Sequence, residues 1–511
     1  IYIGRNQEGM GNLWPFLMTE SQIMFGCYLA TGVIKEVWRK RRKTIWRIRG
    51  TVLILAGSMA VFLAVFDNQY AKEKQEMLDT TFYKQVTDSK ITDAIQTATD
   101  EAKKDGGFYR TVQLGTDDEN AANLNRVWNT DQYISSIYSS SYNKAYQNFR
   151  KDTFGLEQPY RNFLMQSEES NPIYARFMGE KYIVTKSKMK GVRLLGKSGE
   201  WKIYENESAA SIIYGTSQVM SEKNYDKLDY PYNQTTLLQK AVVPESATKQ
   251  TDSIEAVDNL HNAVLRFGEN SCISEADGGY HIFARKDTKV KAEIVSQIDI
   301  NSVNTENAGE NTNVANETKI DSGNRVLLLR FKVKNLKPSK DLTIWVDGNR
   351  NKLSAKQRVY YNDNTTFTYA VALEGDENQV EVTFSKGKYN LSDVEAYIAT
   401  LPGTELYESE FLQNSTKTKG NVIAGNLTMQ KSGYLITSIP YDSGFKIQVD
   451  GKNVKSEKVN TAFLGCKMKA GEHDIVITYH APGMAAGKVM SFVGMMGFLI
   501  LSVLEHVDTK K

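Results

Sequence analysis

An uncharged run of seventeen residues, Gly50 to Phe66, follows directly on a cluster of positive charge, and this pairing constrains the chain more than any other feature. Lys35 to Arg49 carries eight basic residues against Glu36 alone, a local charge of +7. The full 511-residue chain has a net charge of +3, so everything outside the cluster sums to −4. A basic cluster of this kind reads as a solvated linker, a nucleic-acid patch or the flank of a membrane span, and the adjacent apolar run selects the last. The competing reading of 50–66 is a buried core helix. A second uncharged run, Val489 to Leu504, lies near the far end and extends to Ala485 if Lys488 reaches the interface. A third stretch, Gly9 to Ile34, holds one charge, Glu20. The expectation is three membrane α-helical spans, at 9–34, 50–66 and 485–504. The excess of Lys and Arg places loop 35–49 and tail 505–511 in the cytoplasm and the long intervening region outside.

Composition closes off several function classes. With 41% hydrophobic and 24% charged residues, the chain has material for real cores. The small net charge gives no global argument for nucleic acid, which is not expected as a partner. Three cysteines and five histidines leave little for a disulfide scaffold or a metal cluster. Cys272 and Cys466 both fall in the outer region, and their pairing is left open. The chain begins at Ile1, and we read it as a piece of a longer protein.

Between the spans the patterning changes twice. Residues 67–238 mix helical and β-type segments and read as an α/β subdomain. Ile91, Ala94, Ile95 and Ala98 share a helix face, and Lys181 to Thr185 alternates as a strand. Residues 239–413 carry short alternating runs, including Leu342–Val346 and Gln379–Phe384, and read as a β-sandwich interrupted by the Asn-rich loop 300–323. Residues 414–484 read as a compact membrane-proximal β unit, with Asp450-Gly451 as a hairpin turn after Phe445–Val449. The expected fold class is thus membrane α-helical spans plus a large extracytoplasmic α+β region, an α/β subdomain followed by β-sandwich units.

No phosphate-binding loop, dinucleotide fingerprint, metalloprotease or nucleophile-elbow motif occurs, and no metal site is expected. The acidic trio Asp117-Asp118-Glu119 reads better as a solvated turn than as a metal site. Tyr133, Tyr138, Tyr142 and Tyr146 crowd one stretch with Asn143 among them. Aromatic faces beside amides suit sugar rings, though the same tyrosines can simply pack the subdomain.

The sequence resembles the C-terminal part of the bacterial YfhO family of membrane proteins. The likeness is carried by IPYDSGFKIQVDGKNV (Ile439 to Val454) continuing into NTAFLGCKMKAGEHDIVITYHAPG (Asn460 to Gly483). Upstream it is carried by SSIYSSSYNKAYQNF (Ser135 to Phe149) and NPIYARFMGEKYIVT (Asn171 to Thr185). Phe445 stands where the family commonly has Trp, and Cys466 where an aliphatic residue is usual. The resemblance implies a multi-pass cell-membrane protein that takes sugar from a polyprenyl-phosphate donor and modifies cell-wall polymers such as lipoteichoic acid. It implies that the catalytic carboxylates lie upstream of this chain, so no catalytic residue is assigned and no cofactor is expected within it. The region in hand is then expected to bind or position the glycan acceptor through Tyr138, Ser139, Asn143, Tyr441, Asp442 and Asn460. Membrane lipids and a wall glycan or teichoic acid are the implied partners. The alternative is a non-enzymatic membrane-anchored wall-binding scaffold or transport accessory.

Overall fold

The structure, a computed structural model, describes residues 90–114, 133, 143–155, 171–244, 260–296, 325–358, 361–401 and 409–508. Residues 87–481 form one compact unit, and residues 1–86 with 482–511 form the other.

The first unit opens on helix Lys90–Asp105, ended by Gly106 at φ +72°. Its buried face of Ala94, Ile95 and Ala98 packs on Tyr182, Val184 and Ile203. Those three belong to a four-stranded sheet in the order Arg110–Gln113, Glu180–Thr185, Trp201–Glu205, Arg193–Ser198. The first two strands are parallel. Parallel neighbours need a long crossover, and helices Lys144–Asn148 and Pro172–Met178 lie within it.

Ten strands follow in one large sheet system. Its axis is the fourteen-residue strand Gly387–Thr400. One edge of this strand pairs first with Gly279–Ala284 and then with Leu260–Phe267, while the other edge pairs with Arg325–Asn335. A register shift between Arg330 and Lys332, with Asp393 at φ +50°, marks a bulge that turns the strand from one partner to the next. Arg325–Asn335 is buried on both faces over Val326–Leu329 and exposes Lys332 and Lys334 beyond. Leu327, Leu329, Phe331 and Val333 enter the sandwich core. Val326 and Leu328 enter a separate core with Tyr174, Phe177, Leu237 and Val242. Its continuous apolar run VLLL reflects that double burial.

A parallel pair, Val219–Ser221 with Ala241–Val243, and two five-stranded sheets complete the unit. One runs Leu412–Gln413, Val422–Met429, Gly471–Tyr479, Phe445–Val449, Lys452–Val454. Asp450 and Gly451 sit at φ +53° and +73°, the left-handed pair that a tight hairpin turn demands. The other sheet is assembled from distant parts of the chain. Ile213–Thr216 lies between Ser409–Glu410 and Gly433–Pro440, which leads on to Phe463–Met468 and Glu457–Val459. Leu427, Leu435, Ile447, Leu464, Ile475 and Ile477 share a core with Phe108, Ile213 and Phe411.

The expected fold class of membrane α-helical spans joined to an α+β region is corrected. Strands dominate the described residues, and among them no helix is long and apolar enough to cross a membrane. The expected spans 9–34 and 50–66 lie outside the described residues, as do the Asn-rich loop 300–323 and the acidic trio 117–119. The expected span 485–504 falls within helix Met484–Asp508. Sixteen uncharged residues separate Lys488 from Glu505 in the sequence. As a helix they rise about 24 Å, against about 30 Å of hydrocarbon. Cys272 and Cys466 are both free and buried, the first in the sandwich core and the second in the core of the final β unit.

Candidate functional site

The α/β layer, the sandwich and the final β unit meet around one shared core, and polar side chains collect at its rim. Two short helices organise this seam. Asn143 caps Lys144–Asn148, its Oδ1 accepting from the Tyr146 N–H at 3.0 Å. The helix widens into a π-helical turn, Phe149–Thr153. Asn171 caps Pro172–Met178 by accepting from the N–H groups of Ile173 and Tyr174, both at 3.0 Å. Gly179 ends that helix at φ +73°, where a Cβ would meet the Ala210 carbonyl at 2.7 Å. Only glycine satisfies both demands.

Tyr146 and Tyr174 project from these helices into the shared core and join by their hydroxyls. Buried charges surround the pair. Arg110, Arg150, Arg176 and Glu180 are each at most 7% exposed. The Arg110 guanidinium donates to the Met178 carbonyl, to Ser438 Oγ at 2.5 Å and to the Ser438 carbonyl at 3.0 Å. Burial lowers the Arg110 pKa, with Tyr146 and Glu180 opposing. Burial raises both tyrosine hydroxyls, against the pull of Arg150. Both phenols therefore stay neutral, and the cluster locks helix to strand.

A cleft of about 570 Å³ opens on the outer side of the first helix. Lys144, Asn148, Asp152, Glu222, Asp226, Lys458 and Thr461 line it over a floor of Phe149 and Tyr225. Lys458 and Glu222 face each other at 3.5 Å. The Tyr225 hydroxyl donates to the Asn233 carbonyl at 2.7 Å, and burial pushes its pKa up. It is a fixed donor at neutral pH. The walls thus mix carboxylates, an amide, ammonium groups and an aromatic floor, the inventory that grips hydroxyl-rich ligands. Among the described residues no group of His, Cys, Asp and Glu could hold a metal ion.

Tyr138 and Ser139 lie outside the described residues. The other four residues nominated from the sequence are joined by hydrogen bonds or by short stretches of chain. Asn143 Nδ2 donates to the Tyr441 carbonyl at 2.7 Å, across 298 positions of chain. The Tyr441 N–H donates to the Ala462 carbonyl at 2.8 Å, two residues from Asn460. Asp442 Oδ1 accepts from the Gly444 N–H at 2.8 Å and so shapes the turn before Phe445. Asn460, 1% exposed and at φ +44°, accepts from the Val242 N–H at 2.6 Å and returns its own N–H to the Val242 carbonyl at 2.7 Å. Asn143 and Asn460 adjoin the cleft through Lys144 and Thr461. Sequence reasoning missed Asp152, Glu222, Asp226 and Lys458. Each sits in a charged surface segment whose local pattern carries no signal of convergence.

The fold and this site define a class: an α/β layer and two β units around one core, with a polar, aromatic-floored cleft at their seam. The family described as bacterial membrane protein YfhO matches residues 13–491, and the chain belongs to it. An uncharacterized YfhO protein of Bacillus subtilis strain 168 is 22% identical over 375 residues, covering 71% of this chain. The match spans 40% of that relative's length. Among solved structures, a mutant form of the arabinofuranosyltransferase AftD from Mycobacteria aligns over 34% of this chain and 14% of its own, at 12% identity and a TM-score of 0.16. A Paenibacillus cycloisomaltooligosaccharide glucanotransferase aligns over 48% and 49%, at 9% identity and a TM-score of 0.14. At such scores neither likeness bears on the fold.

Proposed function

We propose that the chain is part of a membrane glycosyltransferase that moves sugar from a polyprenyl-phosphate donor onto a cell-wall polymer such as lipoteichoic acid, and that this part holds the acceptor glycan. The observation that supports the reading is the seam cleft in a member of a bacterial membrane protein family. Lys144 and Lys458 suit the phosphates of a teichoic acid, while Asn148, Asp152 and Asp226 suit its hydroxyls. Membrane lipids and the wall polymer are the proposed partners. The transfer step itself is assigned to residues outside this chain.

The test is made on the full-length protein. Deleting its gene should lower the sugar content of the purified lipoteichoic acid. The native gene should restore it, and a Lys144→Ala, Lys458→Ala double variant should restore it less well. Unchanged sugar content in the deletion strain would refute the transferase reading, and wall-binding assays would then test the scaffold alternative.

A further inference from the structure

A smaller cleft of about 300 Å³ adjoins the first, sharing Asp152, Thr153 and Asn233 with it. Its inner wall is formed by Tyr230, Asn233 and Gln234, and its outer wall by the loop 362–366 of the sandwich. Gln234 is 1% exposed, yet neither its amide oxygen nor its amide nitrogen has a hydrogen-bond partner. The Tyr230 hydroxyl and Asn233 Oδ1 are buried and unpaired as well. Folded proteins keep few such atoms, and four within five residues of chain call for a reason. The orientation of Asn233 is fixed, because its Nδ2 donates to the carbonyls of Asp152 and Thr153, both at 3.3 Å. For Gln234 the orientation does not matter, since both ends are free.

These atoms discriminate among ligand classes. Two carbonyl oxygens need donors, one amide nitrogen needs an acceptor, and a phenol can serve either way. An anion offers only acceptors and an ammonium only donors, whereas a hydroxyl offers both. Of the two cations that line the cleft, Lys151 is exposed and Arg330 is already engaged. Arg330 stacks 4.3 Å from the Tyr230 ring centroid and donates to both carboxylate oxygens of Glu395 at 2.9 Å. The volume sits at the lower end of the roughly 300–1,000 Å³ usual for ligand sites, room for about one sugar ring.

We propose that this cleft is a saccharide subsite, taking one neutral sugar unit through the amides of Asn233 and Gln234 and the hydroxyl of Tyr230. The four atoms each expose less than 1 Å². Engagement therefore needs a small side-chain rotation, of the kind common on binding. The proposal deepens the acceptor reading above and rests on it for the polymer to which that sugar belongs.

The test is saturation-transfer NMR on the whole purified protein, with glucose, galactose and N-acetylglucosamine as separate probes and inorganic phosphate, followed by the width of its 31P line, as the anionic control. At least one sugar should receive saturation. Gln234→Leu, which replaces the amide by an apolar group of similar size, should weaken that binding at least tenfold. Thr365→Trp, placed on an exposed rim residue, should fill the mouth and do the same, and it decides the matter if the Leu variant fails to fold. Transfer to none of the sugars, binding of phosphate alone, or native affinity in the folded variants would overturn the subsite. A protein that binds sugar but transfers none sinks the transferase reading and leaves this cleft standing. One that transfers sugar but binds none of the probes sinks the cleft alone.

Discussion

Asn460 offers the sharpest separation of a binding residue from a structural one. Its side chain and backbone clamp Val242 by two hydrogen bonds, at 2.6 and 2.7 Å, and its own backbone is left-handed at φ +44°. Asn460→Ala removes the acceptor and strands a buried N–H, costing roughly 1–3 kcal/mol. It also places a Cβ without local hydrogen bonding in the left-handed region, roughly 1–2 kcal/mol more. Asn460→Gly removes the same acceptor without that steric term, losing instead roughly 0.4–1 kcal/mol through the freer unfolded chain. The Ala variant should therefore be less stable than the Gly variant by about 1 kcal/mol, and both less stable than the native protein. Hydrogen exchange followed by mass spectrometry localises the effect. A local loss of about 2 kcal/mol raises the open population about 30-fold, and the peptide holding Val242 should exchange faster by that factor. Unchanged exchange at 241–243, or equal loss in the two variants, would refute the clamp and return Asn460 to the list of free ligand contacts.

Asn143→Ala removes both a helix cap and the tie to the Tyr441 carbonyl, and should cost roughly 1–2 kcal/mol in chemical denaturation; an unchanged midpoint would argue that Asn143 serves only ligands. For Asp341, burial pushes the carboxyl up, but hydrogen bonds from Lys352, the Ala355 N–H and Arg358 outweigh it and hold the pKa at about 2. A depressed carboxylate contributes stability above its unfolded pKa of about 3.9 and loses it as pH falls toward 2, here about 1–2 kcal/mol after solvent screening. Asp341→Asn should flatten the stability profile between those limits, and a profile as steep as the native one would refute the assignment. Burial, with Glu457 adding to it, pushes the Cys466 thiol up to about 12, and burial also raises Cys272. Both should resist iodoacetamide until the protein unfolds, and rapid labelling of either in the native state would contradict its placement in a core.

Parts of the fold were legible in advance. Leu342–Val346, Gln379–Phe384 and Phe445–Val449 are strands at the bounds that their alternation predicts, because each buries one face and leaves the other less covered. Gly387–Thr400 was not foreseen. Its bulge at Asp393 flips the alternation halfway along, so no single period fits it. The sequence also nominated Asn143 and Tyr441 as neighbours in function, but nothing in either segment announces the 2.7 Å bond between them. Gln234 gave no signal at all, since a glutamine in a short polar turn reads as exposed and only the tertiary fold buries it.

The amino-acid sequence by itself determined the family, the local strand and turn vocabulary, and the shortage of metal-ligating residues. These are properties written within five to ten residues, where face alternation and left-handed turn positions leave a direct mark. The tertiary structure alone decided that Ile213–Thr216 would join a sheet built mainly from residues 409 onward, that Val326–Leu329 would be buried on both faces, and that the polar cleft would open where those pieces meet. Backbone donors and acceptors are the same in every strand. The choice of partner across two hundred residues therefore rests on which apolar faces can be buried together, and no local pattern encodes that.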